Sequence, residues 1–221
     1  MKRVKYPRTF HLPWSEGITN DDKVLSNCNH FLNQEVVVTE KLDGENTTLM
    51  RDWIHARSVD SVHHYTQDWV KAFWYNISYR IPEGWRICGE NLFAEHSIPY
   101  DNLASYFYGF SIWDENNYCL SWDATLEWFE ELGITPVPEL YRGVYNEDIL
   151  KSLWFPESNK EGYVVRLADG YDYLQFSTSI GKFVRKNHVN DTDDHWLYGN
   201  GDIKQNKLQH HHEGEKDSDD Y

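Results

Sequence analysis

Four consecutive β-branched residues, Val36-Val37-Val38-Thr39, begin just after Glu35. Such a run resists helix and reads as a buried strand. A charged group follows at once: Lys41-Leu42-Asp43-Gly44-Glu45-Asn46-Thr47. Asp-Gly is a turn signal, and Thr47 to Arg51 reads as the returning strand. A lysine at the end of a buried strand sits at the mouth of a pocket. Its amine becomes a nucleophile when its surroundings lower its pKa. On this stretch alone, an ordinary hairpin with an exposed lysine fits equally well.

Further elements follow from pattern and punctuation. Asp68 to Arg80 carries Trp69, Ala72, Phe73 and Ile77 at helical spacing. Ser121 to Gly133 opens on a cap and closes on glycine, and Asn146 to Trp154 is a further helix. Arg86 to Gly89, Tyr106 to Trp113, Tyr118 to Leu120, Gly162 to Leu167 and Lys182 to Arg185 read as strands. Before the valine run, Pro7, Pro13, Gly17 and Asn20-Asp21-Asp22 mark residues 1–35 as an arm folded onto the core. A short helix is expected near 21–32. The class is α+β, with a mainly antiparallel core flanked by helices.

At 221 residues the chain is long enough for one catalytic-sized domain. The expected division is an arm at 1–35, the core at 36–190, a short extension at 191–209 and a disordered acidic tail at 210–221. That tail offers nothing apolar to bury. No apolar run approaches the roughly 18 residues of a membrane span, and no secretory signal follows the basic start. Three scattered cysteines, Cys28, Cys88 and Cys119, argue for the reducing cytoplasm and against a disulfide scaffold. The net charge of −15 argues against a sequence-independent nucleic-acid binder. From Asn190 onward nine acids and three lysines contribute −6, leaving −9 for the preceding residues. A site for a polyanion must then be a local basic pocket in an acidic shell.

The chemistry-bearing stretches come in a fixed order. After Lys41-Leu42-Asp43-Gly44 stand His55-Ala56-Arg57-Ser58 and Cys88-Gly89-Glu90-Asn91. Then follow Phe107-Tyr108-Gly109-Phe110-Ser111, Lys160-Glu161-Gly162-Tyr163-Val164-Val165 and Gly181-Lys182-Phe183-Val184-Arg185-Lys186. This ordered set resembles the covalent nucleotidyltransferase superfamily of ATP-dependent ligases and capping enzymes. It is most similar to the RNA ligases, in particular the RNA ligase 2 branch, over most of residues 36–188. Tyr6 to Ser15 and the stretch from His188 to Trp196 resemble a subgroup of small members.

The resemblance implies a nucleotidyltransferase core of the ATP-grasp-like ligase kind and an RNA-repair ligase. It implies ATP and Mg²⁺ or Mn²⁺ as cofactors, and RNA with 5′-phosphate and 3′-hydroxyl ends as the partner. Lys41 would form lysyl-AMP. Arg57 would meet phosphate or a strand end, Glu90 the ribose hydroxyls, and Phe110 the adenine ring. Glu161 would bind the metal, Lys182 the AMP phosphate, and Asn46 would serve the final joining step. Lys182, Arg57 and the metal would place positive charge against the phosphates. The same cations are expected to depress the pKa of Lys41.

Each residue also has a plainer reading. Glu90 suits a strand-end surface acid, Phe110 the core, Glu161 a solvated turn beside Lys160, and Lys182 a basic strand edge. Tyr108 shares the strand face of Phe110 and competes for the stacking role. His63-His64 suggests metal, but sequence neighbours on a strand point apart. Two positions depart from the family pattern. Val184 stands where a second lysine is usual, with Arg185 or Lys186 as replacement, and Ser111 stands where an aspartate is usual. No larger C-terminal or OB domain is expected, so a helper protein is a candidate for clamping the strand. The rival functions are a DNA ligase or capping-type nucleotidyltransferase, and a non-catalytic nucleic-acid end-binding module.

Overall fold

A computed structural model describes residues 3–60, 63–155, 158–186 and 203–209. The strands are β1 (Phe10–His11), β2 (Glu35–Lys41), β3 (Glu45–Met50) and β4 (Ile54–Ala56), followed by helix α1 (Asp68–Ile77). Next come β5 (Arg86–Asn91), β6 (Phe107–Trp113), β7 (Tyr118–Cys119), α2 (Trp122–Leu132), β8 (Thr135–Pro136), β9 (Glu139–Val144) and α3 (Glu147–Ser152). The described chain continues through β10 (Gly162–Leu167), β11 (Tyr171–Asp172), α4 (Phe176–Ser179) and β12 (Ile180–Val184).

Two sheets share the strands. One runs β1-β12-β10-β2-β9; the other runs β11-β7-β6-β5-β3-β4, with β8 beside β6. Pairing is antiparallel except at β1–β12 and β6–β8. The α+β expectation holds. Three of the four expected helices form, and α2 and α3 carry the caps the sequence supplies. Ser121 Oγ accepts the Ala124 N–H, Gly133 closes α2 in the left-handed region, and Asn146 caps α3. Strand β9 carries no clear alternation in its sequence and emerges only in the fold.

The valine run is central because both of its faces are covered. Val36 and Val38 join the arm residues Leu12, Leu25 and Phe31 and the β10 residues Tyr163 and Val165 in one core cluster. Val37 packs the other way, between the sheets, with Leu42, Leu92, Tyr108 and Trp122. A strand buried on both faces has no polar side to alternate with. Helices α1 and α2 cover the second sheet through Val70, Ile77, Phe129 and Leu132.

Two local expectations are corrected. Asp43-Gly44 does not turn a hairpin. β2 pairs with β10 and β9, whereas β3 pairs with β4 and β5, so Leu42–Gly44 carries the chain from one sheet to the other. Nor does a helix form near 21–32; only a 3-10 turn at Asn29–Phe31 does. Residues 23–25 run extended beside β1, with His11 N donating to Lys23 O at 2.7 Å and Leu25 N to His11 O at 2.8 Å. These bonds, with the Val24–His11 bridge, take the backbone groups a helix would use. The tail at 210–221 and the stretch from His188 to Trp196 lie outside the described residues. Residues 203–209 dock instead of trailing: Asn206 is buried, donates to Leu92 O and Ala94 O, and accepts the Tyr100 N–H.

Gly162 pairs with Lys41 on one side and Val184 on the other. A Cβ there would stand 2.0 Å from the Phe183 carbonyl oxygen, which is backbone and cannot step aside. Gly162→Ala is expected to lower stability by roughly 1–3 kcal/mol. In a thermal melt that is roughly a 2–4 °C drop per kcal/mol. An unchanged melting temperature would contradict the packing described.

Candidate active site

Strand alternation selects the residues that face the gap between the sheets. Thr39 and Lys41 on β2, Val164 and Arg166 on β10, and Lys182 on β12 lie in register across the first sheet and share that face. From the second sheet come Asn46 on β3 and Glu90 on β5, which are cross-strand partners. Together with Arg57 just beyond β4 and Phe110 on β6 they line one cavity of about 560 Å³. Glu161 lies against it, bonded to Lys41. All seven residues expected from the sequence are thus brought together.

Lys41 Nζ is 2.5 Å from Glu161 Oε1, with the lysine side chain 25% and the glutamate 7% exposed. One step back along both strands, Lys160 Nζ reaches Glu40 Oε2 at 2.6 Å. The two adjacent ion pairs clip the end of β2 to the chain entering β10. Glu161 is therefore no solvated turn residue. Its neighbour Gly162 pairs with Lys41, and its carbonyl accepts the Arg185 N–H at 2.9 Å.

The expected depression of the Lys41 pKa is overturned. Burial favours the neutral amine, but Glu161 first, then Glu90, outweigh it and hold Nζ above the ordinary lysine range. The depressed amine is Lys182. Burial lowers it, Lys41 adds like-charge repulsion, and Asp22, 3.8 Å away, only partly compensates. For Glu90, burial pushes the carboxyl up to about 8 against the pull of Lys41, while Oε1 accepts the Gly44 N–H at 3.1 Å.

Phe110 owes its position to a bulge. Cys88 pairs with Ser111 and Gly89 with Gly109, so Phe110 is the extra residue on β6. A bulge re-aims the side chain it inserts. The ring lines the cavity and meets the edge of Tyr6 at 5.2 Å. The bulged residue's carbonyl is taken by Arg166 Nη1. Tyr108 does not compete: it is core, and its hydroxyl accepts the Ala104 N–H at 3.0 Å. Ser111 is also core, accepting the Trp113 indole N–H. Neither Arg185 nor Lys186 lines the cavity. The position of the absent second lysine, Val184, is covered by the arm: its carbonyl accepts the Glu16 and Gly17 N–H groups, and its N–H goes to Ser15 Oγ.

Sequence reasoning missed three contributors. The arm is one wall of the cavity, through Tyr6, Pro7, Arg8, Thr9 and Asp22. β1 lies parallel to β12, with His11 opposite Lys182. His11 is buried, with Ser15 Oγ 2.8 Å from Nδ1 and Asp22 Oδ2 3.3 Å from Nε2. Burial, then Lys182, hold its pKa down at about 4, so it stands neutral beside Asp22. Arg166 is the second; a charged residue mid-strand with cavity parity was its only signal. Asp43 is the third. Its Oδ2 accepts from Ser97 N, Ser97 Oγ and Ile98 N at 2.8–3.1 Å, and its N–H goes to the Tyr100 hydroxyl.

The profile of the RNA ligase family matches residues 34–184. The chain belongs to the RNA ligase family. Solved structures agree on the fold. A Naegleria gruberi RNA ligase variant with ATP and Mn aligns at a TM-score of 0.54 and 17% identity, over 82% of this chain and 58% of that one. The same organism's RNA ligase with PPi gives 0.52 and 18%, over 82% and 57%. A second variant with ATP and Mn gives 0.54 and 17%, over 84% and 61%. This RNA ligase family member thus spans about three fifths of those chains. A sequence search of curated proteins gives no match.

Among the described residues no group of three or more His, Cys, Asp or Glu forms a ready cage for a metal ion. His63 instead faces Asp68, with Nε2 3.2 Å from its carboxylate. The carboxylates at the cavity are hard oxygen donors that suit Mg²⁺ or Mn²⁺, and Mg²⁺ typically takes one or two of them and fills its shell with water and phosphate.

Glu90 yields a pH prediction. Its folded pKa of about 8 lies above the ordinary glutamate value of 4.5, so the folded state keeps a proton that the unfolded state loses. The stability from the protonated carboxyl is complete below 4.5 and is lost as pH rises through 8. Glu90→Gln removes that loss. The ligand-free variant should melt higher than wild type at pH 8.5, by roughly 2–4 °C for each kcal/mol regained, and the gap should close at pH 4.5. A gap independent of pH would contradict this assignment.

Proposed function

We propose that this RNA ligase family member is an ATP-dependent ligase that joins RNA 5′-phosphate and 3′-hydroxyl ends through lysyl-AMP. The observation that carries the reading is the placement of Lys41. Its amine sits where the chain crosses between the sheets, against Glu161, in a cavity shared with Glu90, Phe110, Arg57, Asn46 and Lys182. In the first step Nζ, having shed its proton, attacks the α-phosphorus of ATP. A P–N bond forms, the bridging P–O bond breaks, and pyrophosphate leaves with the electron pair. An oxygen of the RNA 5′-phosphate next attacks the same phosphorus, and the amine leaves and regains a proton. The 3′-hydroxyl then attacks the RNA phosphorus, losing its proton, and AMP departs.

The chain's residues suit these demands. Phe110 offers a ring face to adenine and Glu90 a carboxyl to the ribose. Arg8, Arg57, Arg166 and Lys182 give the cavity positive charge although the chain carries −15. Phosphoryl transfer depends mostly on such placement and charge neutralisation. Glu161 is the residue for a divalent metal, which would neutralise phosphate oxygens; Mg²⁺ and Mn²⁺ both fit. In the ligand-free protein Glu161 also holds the proton on Lys41 with which it pairs. Asn46 is assigned to the joining step, its Oδ1 being buried with no hydrogen-bond partner among the described residues. A helper protein is the candidate for clamping the strand. Three free buried cysteines support a reducing compartment such as the cytoplasm.

Incubation with α-labelled ATP and Mg²⁺ or Mn²⁺ should give a protein heavier by one AMP, and Lys41→Ala should abolish the label. A Lys41→Ala protein that still takes up label refutes the nucleophile. A wild type that gains no AMP supports an end-binding module instead. Because the Lys41 pKa is raised by Glu161, the adenylylation rate should climb with pH above 7. Glu161→Gln should move that profile to lower pH while lowering the maximal rate. An unmoved profile would show that Glu161 does not govern the amine.

A further inference from the structure

A second cavity, of about 450 Å³, lies between β4 and α1. Asp52, Trp53, His63, Lys71 and Trp74 contribute polar or aromatic groups to its lining, over an apolar floor that includes Ile54 and Val70. The Trp74 indole N–H donates to Met50 O at 2.6 Å, which fixes the ring. Trp53 is 40% exposed, and the Arg3 guanidinium lies 3.5 Å from its ring centroid. Lys71 Nζ contacts His63 Nδ1. Asp52, Asp68 and Glu45 are the acids nearby; Asp68 is engaged with His63, and Glu45 accepts the side-chain N–H of the lining Gln67.

His55 turns away from this cavity: its cross-strand neighbours Thr48 and Cys88 share a face of the sheet with the cluster of Tyr6 and Trp113, opposite α1. Aromatic faces beside flexible cations are what single-stranded polynucleotides bind: bases stack on the rings and phosphates meet the cations.

Position supplies the rest. Ala56 lines both cavities, and the next residue, Arg57, lines the one that holds Lys41. A strand with its end at Lys41 and its backbone on Arg57 passes the end of β4 and reaches Trp53 and Trp74. We propose that this second cavity seats a nucleobase of the RNA strand whose terminus lies at the first. Trp53 supplies a stacking face and Lys71 contacts the adjoining phosphate. Adenine fits because its broad ring face stacks on an aromatic side chain. This inference rests on the ligase reading for the identity of the strand, but its binding test does not depend on turnover.

The probe is a 5′-phosphorylated single-stranded oligoadenylate, with binding measured without ATP and adenylylation measured without RNA. Trp53→Ala should weaken oligoadenylate binding by about tenfold or more, with Trp53→Phe restoring most of it. Lys71→Ala should weaken binding modestly and lower the slope of log affinity against log salt by about 0.7. Both variants should form lysyl-AMP at the wild-type rate and lose strand joining in proportion to binding. If both bind and join as wild type does, the second cavity is not a strand site, and the ligase reading stands. If wild type forms no lysyl-AMP but binding still depends on Trp53, the ligase reading falls and the cavity remains.

Discussion

The site depends on one buried carboxylate that anchors the backbone. Asp43 accepts three hydrogen bonds from Ser97 and Ile98, and its own N–H is taken by Tyr100. Tyr100 N in turn donates to Asn206, whose amide also ties down Leu92 O and Ala94 O. These bonds hold Leu42–Gly44 in a crossing between sheets. Were those residues to turn a hairpin, β3 would pair with β2 and the gap between the sheets would close. Because they cross, Lys41 ends one sheet and Glu45 begins the other, with the cavity at the crossing.

Around that crossing, charge is arranged in pairs. Lys41 stands against Glu161, and Lys182 against Asp22. The two amines repel one another while each has a carboxylate beside it, and burial acts on both. The outcome differs because Lys41 has Glu161 at 2.5 Å with Glu90 behind it, whereas Lys182 has Asp22 at 3.8 Å and the like charge of Lys41 against it. The near partner wins against burial and the far one does not. Buried charge is costly unless it is paired, which explains why an acidic chain holds its cavity cations close to acids.

Much of this was legible before folding. Val36 to Thr39 announced a buried strand, Ser121 and Gly133 bounded α2, and the ordered stretches from Lys41 to Lys182 named seven residues that do converge. The arm was harder. Its prolines marked turns, but nothing local says that His11 pairs beside Lys182 or that Asp22 faces its amine. Phe110 was named on resemblance, yet the reason it differs from Tyr108 is a bulge, and a bulge depends on the partner strand. Arg166 looked like one residue of a strand until its guanidinium proved to hold the carbonyl that the bulge frees.

The amino-acid order by itself determined the three main helices and the strands of the valine run and its neighbours, though not β9 or the extended run at 23–25. Those properties follow from backbone preference, capping and period, all local. The tertiary structure alone decided that Asp43 anchors a crossing, that the arm walls the cavity, and that Lys41 carries its proton more tightly than a free lysine. Each depends on distances between residues far apart in the chain, and electrostatic and hydrogen-bond energies are functions of those distances.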